Sequence, residues 1–248
     1  DPVQGICLTA LAQALAQWPV RACALVSNFA NPLGSCADET ARQALVALLE
    51  RHGVALVEND IYGDLHHDSR RPRPLKALEG TSPILYCGSV AKTLSPGLRV
   101  GWVLSAAHRE RLSYLKYVGN LSTPALAQRV VATLLARGQD IRPLRRARQR
   151  YAEQVIRTVE TVARYFPAGT RITQPRGGFV VWVELPHGDT LALAEQALTR
   201  GISIAPGPVF SASGRYRHCL RLNCAQPWDG ALLTGLRTLG ELAGGLPE

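Results

Sequence analysis

Methionine is absent from all 248 residues and the chain opens on Asp1, so translation is expected to begin upstream of it. Also missing is any C-x-x-C spacing: Cys7, Cys23, Cys36, Cys87, Cys219 and Cys224 fall within predicted helices and strands or at their edges. That favours reduced thiols over a disulfide framework or a zinc site, and no metal is expected. No apolar run approaches the roughly 20 residues of a membrane span, and no charged-then-apolar leader opens the chain. The expectation is a cytoplasmic protein with no membrane partner. Aromatic residues make up only 6% of the chain, and none interleave with a basic strand. Together with the lack of a helix-turn-helix or zinc-finger pattern, this argues against DNA contact by these residues themselves.

Acidic residues are the scarcer charge: 19 against 28 Lys and Arg, for a net charge of +9. The excess is clustered, with Arg142, Arg145, Arg146, Arg148 and Arg150 on one predicted helix and Arg70-Arg71-Pro72-Arg73 in a loop. Both clusters read as solvated, a helix face and a basic loop.

What is present is an ample core, since 46% of the residues are hydrophobic. Helical periodicity over Ile6 to Ala16 precedes an apolar strand, Ala22 to Val26. The turn Asn31-Pro32-Leu33-Gly34 follows, then a helix capped by Asp38 or Ser35 and running to Gly53, then the strand Val54 to Val57, ending in Glu58-Asn59-Asp60. Strand, helix and strand with polar residues at the strand ends is an α/β pattern, and such sheets bind ligands beyond the carboxyl ends of their strands. Asn31, Asp60 and Lys92 all fall at such ends.

The pattern turns helical over Arg109 to Gly119, Thr123 to Ala136 and Ile141 to Tyr165. Strands are expected at Ile172 to Gln174, Gly178 to Glu184, Ile202 to Ala205 and Cys219 to Asn223, with helices near Thr190 to Thr199 and Gly230 to Ala243. The reading is a domain over 1–140, built on a mostly parallel sheet, followed by a smaller α+β domain over 141–248.

The most informative stretch is Gly88-Ser89-Val90-Ala91-Lys92-Thr93-Leu94-Ser95-Pro96-Gly97-Leu98-Arg99-Val100-Gly101-Trp102. Ile84 to Cys87 and Val100 to Leu104 read as buried strands on either side, so Lys92 sits at a strand end rather than on a polar helix face. Desolvation there would lower an amine pKa from about 10 toward the nucleophilic range needed for Schiff-base chemistry. Ser89 and Arg99 add a hydroxyl and a planar cation, groups suited to a phosphate.

The order Asn31-Pro32-x-Gly34, Asp60-x-Tyr62, Ser89-x-x-Lys92, Arg99 and Arg221 resembles the fold type I pyridoxal-phosphate enzymes of the aspartate aminotransferase superfamily. Within it, Asn-Pro-Leu-Gly, Asp-x-Tyr-Gly-Asp-Leu, Lys-Thr-Leu-Ser-Pro-Gly-Leu-Arg-Val-Gly-Trp and the late Ile202-Ser203-Ile204-Ala205-Pro206-Gly207 look most like the aminotransferase-like domain of MocR-type regulators in the GntR family. The resemblance implies pyridoxal 5'-phosphate as cofactor, held by Lys92 as a Schiff base, with Lys92 as proton carrier if chemistry occurs. It further implies that Asp60 pairs with the ring nitrogen, that Asn31 and Tyr62 bond the ring oxygen, that Ser89 and Arg99 hold the phosphate, and that Arg221, beside Asn31, takes the carboxylate of an amino-acid-like ligand.

Ala30 stands where that group commonly has glutamine, Asn59 where aspartate is frequent, and Val90-Ala91 where Phe-Ser is frequent; none removes a primary contact. The family's glycine-containing phosphate loop, its ring-stacking aromatic and residues lent across a homodimer interface are expected before Asp1. Three functions fit: a regulator's effector domain, with DNA bound only through an upstream domain; a catalytic aminotransferase acting on an amino acid and a 2-keto acid; and a scaffold without cofactor. The retained polar set at apolar strand ends disfavours the last.

Overall fold

Apolar strands separated by one amphipathic helix build the first sheet, in a computed structural model that describes residues 1–136 and 142–247. Strands β1 (Ala22–Val26), β2 (Ala55–Asn59) and β3 (Ile84–Ser89) run parallel in that order, with Val26 opposite Asn59 and Asn59 opposite Cys87. Strand β4 (Gly101–Leu104) returns antiparallel on β3, with Gly101 opposite Ser89. Helices α1 (Leu8–Gln17) and α2 (Glu39–Arg51) pack against the sheet. Leu45, Val46, Leu48 and Leu49 of α2 recur at helical spacing and bury against Val54, Leu56 and Ile84. Each such leucine contributes about 1.5–3 kcal/mol of burial. Of the two expected caps of α2, Asp38 does the capping: its carboxylate accepts from Ala41 N at 2.8 Å.

Between β2 and β3 the chain crosses over through two short 3₁₀ turns, Gly63–Leu65 and Leu75–Leu78. A buried carboxylate holds this crossover. Glu58 of β2, 0% exposed, accepts from Leu75 N at 2.7 Å and Lys76 N at 2.8 Å. The two bonds satisfy amide groups that open the second 3₁₀ turn, where no earlier carbonyl is placed to take them.

The expected burial of Val100 to Leu104 is corrected in part. Val100 is buried, but β4 is open on both faces, with Trp102 at 39% and Leu104 at 53% exposure. An edge strand pairs on one side only, and an apolar run by itself cannot distinguish an edge from a centre. Helices α3 (Arg109–Asn120) and α4 (Ala125–Ala136) follow, and of them Val131 is buried in a cluster with Val90 and Val100, with Ala127 packed against it. No described helix is long and apolar enough to cross a membrane.

Helix α5 (Arg142–Tyr165) spans about 36 Å at 1.5 Å per residue. Its first half brings Leu144 and Tyr151 to a cluster with Phe29, Tyr62 and Leu65, and its second half places Val155 and Val162 in a separate core. That second core lies under an antiparallel sheet, in the order β5 (Arg171–Ile172), β6 (Val180–Glu184), β8 (Cys219–Asn223), β7 (Ala205–Pro206), with α6 (Thr190–Thr199) and α7 (Gly230–Gly244) on it. The strand expected over Ile202 to Ala205 is displaced to Ala205–Pro206, and that expected over Ile172 to Gln174 to Arg171–Ile172. The expected domain boundary near residue 140 lies outside the described residues.

Main-chain bonds stitch the two halves together: His67 N donates to Arg176 O and Gly178 N to Leu65 O, both at 2.9 Å. The bond made by Gly178 ties the end of the first 3₁₀ turn to the start of β6.

Glu58→Ala strands one buried and one half-buried amide group and should cost about 2–4 kcal/mol in urea denaturation. Burial pushes the Glu58 carboxyl above its ordinary range. The stability linked to that shift is complete below the ordinary carboxylate pKa and is lost as pH rises through the raised value. The wild-type protein should therefore lose stability relative to Glu58→Gln across that window; parallel pH profiles would refute the linkage.

Candidate functional site

Three parallel strands end side by side, so the residues beyond β1, β2 and β3 meet at one edge of the sheet. Beyond β1, Asn28 is fully buried and donates from Nδ2 to Asp60 Oδ1 at 2.7 Å. Arg42 of α2, also buried, donates to Asn28 Oδ1 and Ala37 O, which fixes the orientation of the Asn28 amide. Beyond β2, the Asp60 side chain is 0% exposed. Its Oδ2 accepts from Arg71 Nη2 at 2.7 Å and from the Tyr86 hydroxyl at 3.1 Å.

Burial and the adjacent Asp60 charge push the Tyr86 hydroxyl up to about 12, so it remains a donor. Burial would lower the Arg71 guanidinium; Asp60 and Asp64 outweigh it and raise its pKa. Gly63 leaves room for this arrangement, because a Cβ there would fall on the Asp60 carboxylate and the Arg71 guanidinium.

Tyr62, buried, packs edge-on to Phe179 with ring centroids 5.8 Å apart. Burial raises its hydroxyl pKa, while Arg221 and Asn31 work against the rise. Arg221 lies on β8 and donates from Nη1 to Asn31 Oδ1 at 3.1 Å, and its guanidinium sits 5.5 Å from the centre of the Phe210 ring. Its Nε is buried with no hydrogen-bond partner among the described residues.

Lys92 stands in a tight turn just past β3, where the N–H groups of Thr93, Leu94 and Ser95 converge on Val90 O. The half-buried ammonium is 6.0 Å from the centre of the Phe179 ring, and no described group accepts a hydrogen bond from it or pairs with it. Ser89 donates to Val100 O at 2.8 Å and accepts from Ala91 N at 3.1 Å, bracing the same turn. Arg99 is exposed in the left-handed region at φ 53°, with Nη1 3.5 Å from Pro96 O.

The fold thus joins Asn31, Tyr62 and Arg221 and brings both Tyr62 and Lys92 against one ring, Phe179. Asp60 enters the site through partners that the motifs do not mark, Asn28, Arg71 and Tyr86, while Arg99 makes no described contact with the others. Phe179 falls inside an expected strand and carries no sequence signal beyond an apolar residue after two glycines. The solvated reading of the basic clusters is corrected at two positions. Arg71 is ion-paired inside the site, and Arg148 donates from Nε to Asp64 O. A buried carboxylate at a strand end is the signal that could have found a cation such as Arg71, since a buried charge needs a partner.

A cavity of about 650 Å³ lies elsewhere, between the segment after β1 and the strand β5, lined by Phe29, Arg42, Arg71, Arg176 and Trp182 among others. Arg71 both lines this cavity and pairs with Asp60. No group of three or more His, Cys, Asp or Glu that could hold a metal occurs among the described residues, and all six thiols are free.

Among the described residues, an amine that makes no hydrogen bond, a buried carboxylate, two phenols and two amides lie at or beyond the ends of β1, β2 and β3, and the Arg221 guanidinium reaches Asn31 there from β8. The model for aminotransferase class I and II matches residues 3–234. The chain belongs to this family. It is 38% identical over 243 residues to an uncharacterized HTH-type transcriptional regulator, YjiR of Escherichia coli, covering 97% of this chain and 52% of that protein. It is 35% identical over 250 residues to 2-aminoadipate transaminase of Thermus thermophilus, covering 98% of this chain and 62% of the relative. Among solved structures, LysN, an alpha-aminoadipate aminotransferase of the same organism complexed with N-(5'-phosphopyridoxyl)-L-leucine, superposes with a TM-score of 0.91 at 33% identity, over 98% of this chain and 63% of that one. The fold is therefore the fold type I α/β architecture of the family, and the chain spans roughly half to two thirds of the relatives it matches.

Gly63→Ala should lower stability by about 1–3 kcal/mol, because Asp60 cannot turn away without giving up Asn28 or Arg71. Thermal unfolding of the variant checks this, and an unchanged midpoint would contradict the packing described.

Proposed function

We propose that the chain is the aminotransferase-like effector domain of a MocR-type, GntR-family transcriptional regulator that binds pyridoxal 5'-phosphate through Lys92. The observation that carries this reading is the likeness to a helix-turn-helix regulator along nearly the whole chain. The donor set supports the cofactor: Lys92 has an amine to offer, Arg221 has an unpartnered Nε, and Asp60 holds a charge that water does not reach. Bound pyridoxal phosphate supplies an aldehyde for a lysine amine and a ring that withdraws electrons from a neighbouring carbon.

In this reading the turn after β3 positions the Lys92 amine, and Phe179 covers it on one side. Asp60 offers its charge to the ring nitrogen, Asn31 and Tyr62 meet the ring oxygen, and Ser89 with Arg99 takes the phosphate. Arg221 receives the carboxylate of an amino-acid-like ligand. Because Arg221 rides on β8 while Asn31 follows β1, a carboxylate that replaces the Asn31 contact changes how the two halves are tied. A ligand that prefers one arrangement shifts the equilibrium by its difference in affinity, which is the physical content of an effector response. The proposal includes domains over 1–140 and 141–248, a cytoplasmic homodimer, and DNA contact through a domain upstream of Asp1.

The second reading, a catalytic aminotransferase, is favoured by the likeness to a transaminase and by the retention of every polar group the first reading uses. In it Lys92 also takes and returns the proton.

Absorbance of the protein with pyridoxal phosphate, scanned against a panel of amino acids, decides between them. A visible band that borohydride fixes and Lys92→Ala abolishes is expected, with no keto acid released. Release of keto acid makes the protein a transaminase, and a band that persists in Lys92→Ala removes Lys92 from the site. Arg221→Ala should weaken amino-acid binding about 10- to 100-fold, the range of a lost charge-assisted hydrogen bond, with cofactor retained. Equal loss of both would make Arg221 structural.

A further inference from the structure

Both oxygens of the buried Asp60 carboxylate are engaged within the protein. Asn28 occupies Oδ1, and Arg71 and Tyr86 share Oδ2. Arg71 does not depend on Asp60 for its place: Nε donates to Asp64 Oδ1 at 2.7 Å, Nη1 donates to Pro72 O at 3.0 Å, and Gly63 leaves the space that the guanidinium fills. The other charges nearby are Glu58, two residues back on β2; Asp64, which neutralises part of Arg71; and Arg148 of α5, whose Nε is engaged by Asp64 O. Arg71 is thus the cation in contact with Asp60 among the described residues.

We propose that Arg71 is a positioning residue that tempers Asp60, so that the charge offered to a cofactor's ring nitrogen is already partly satisfied by a guanidinium that bonds to Asp64 and Pro72 also hold. This rests on the cofactor reading given above and adds a residue to it. A full negative charge beside the ring nitrogen holds a proton there and strengthens the ring's pull on electrons; a carboxylate already paired with a cation holds that proton less firmly. The consequence is a site that keeps its cofactor through Lys92 and the other contacts while drawing less from the ring nitrogen.

The test is binding of two probes, pyridoxal phosphate and its 1-deaza analogue, which carries carbon in place of the ring nitrogen and so cannot pair with Asp60. The preference for pyridoxal phosphate, taken as the ratio of the two Kd values, should rise about tenfold in Arg71→Met, the factor that corresponds to one unit of pKa. It should stay near the wild-type value in Arg71→Lys, which keeps the charge, and in Tyr86→Phe, which removes a bond to the same oxygen without changing charge. Arg71→Gln provides the same comparison if the Met variant does not fold.

A merely structural role would weaken both probes alike, and an unchanged ratio in the Met and Gln variants would overturn the proposal. Wild-type protein that binds neither probe would instead overturn the cofactor reading and this inference with it. Binding of both probes with an unchanged ratio leaves the cofactor reading standing and sinks the role of Arg71 alone.

Discussion

Asp60 carries a carboxylate with no exposed surface at the end of a parallel strand, and a charge in that position has to be met from within the protein. The elements around it are arranged to meet it. The segment after β1 supplies the Asn28 amide, which α2 orients through Arg42; β3 supplies the Tyr86 hydroxyl; and the crossover between β2 and β3 supplies Arg71. The same crossover is fastened by a second buried carboxylate, Glu58, on the amides of Leu75 and Lys76. Two carboxylates spaced two residues apart, one on β2 and one just past its end, therefore organise a connection that contains no α-helix. The strand ends stay aligned because these bonds leave the crossover little freedom.

The second core reaches the same edge by a different route. Helix α5 carries its own apolar face from Tyr151, beside Phe179, to Val162 in the C-terminal core. Main-chain bonds at His67 and Gly178 and the side-chain bond between Arg221 and Asn31 close the seam. The groups that would touch a ligand's carboxylate therefore belong to both halves, whereas those that would touch the ring belong mainly to the first.

Much of this is legible in the chain itself. The strand, helix, strand pattern of the first hundred residues, a cap for α2 at Asp38 or Ser35, the strand-end position of Lys92 and the α+β character of the last hundred residues follow from periodicity and turn chemistry, which act over a few residues. The motif order Asn31, Asp60, Tyr62, Ser89, Lys92, Arg99 and Arg221 also points to the family. What periodicity and motifs do not carry is long-range. Trp102 and Leu104 are as apolar as a buried strand requires, yet β4 is an edge; Arg71 sits in a run of arginines that looks solvated, yet one member of the run folds inward; Phe179 has no local mark at all.

Sequence alone determined the element types, the family and the residues able to carry the chemistry, because propensity, hydrophobic period and motif spacing are local properties of the chain. Only the tertiary structure decided which cation meets Asp60, which ring both Tyr62 and Lys92 approach, and that Arg221 reaches Asn31 across 190 positions. Those pairings depend on how two cores dock, and the energy of a buried charge or ring contact is set by neighbours that the chain brings together only after both sheets have formed.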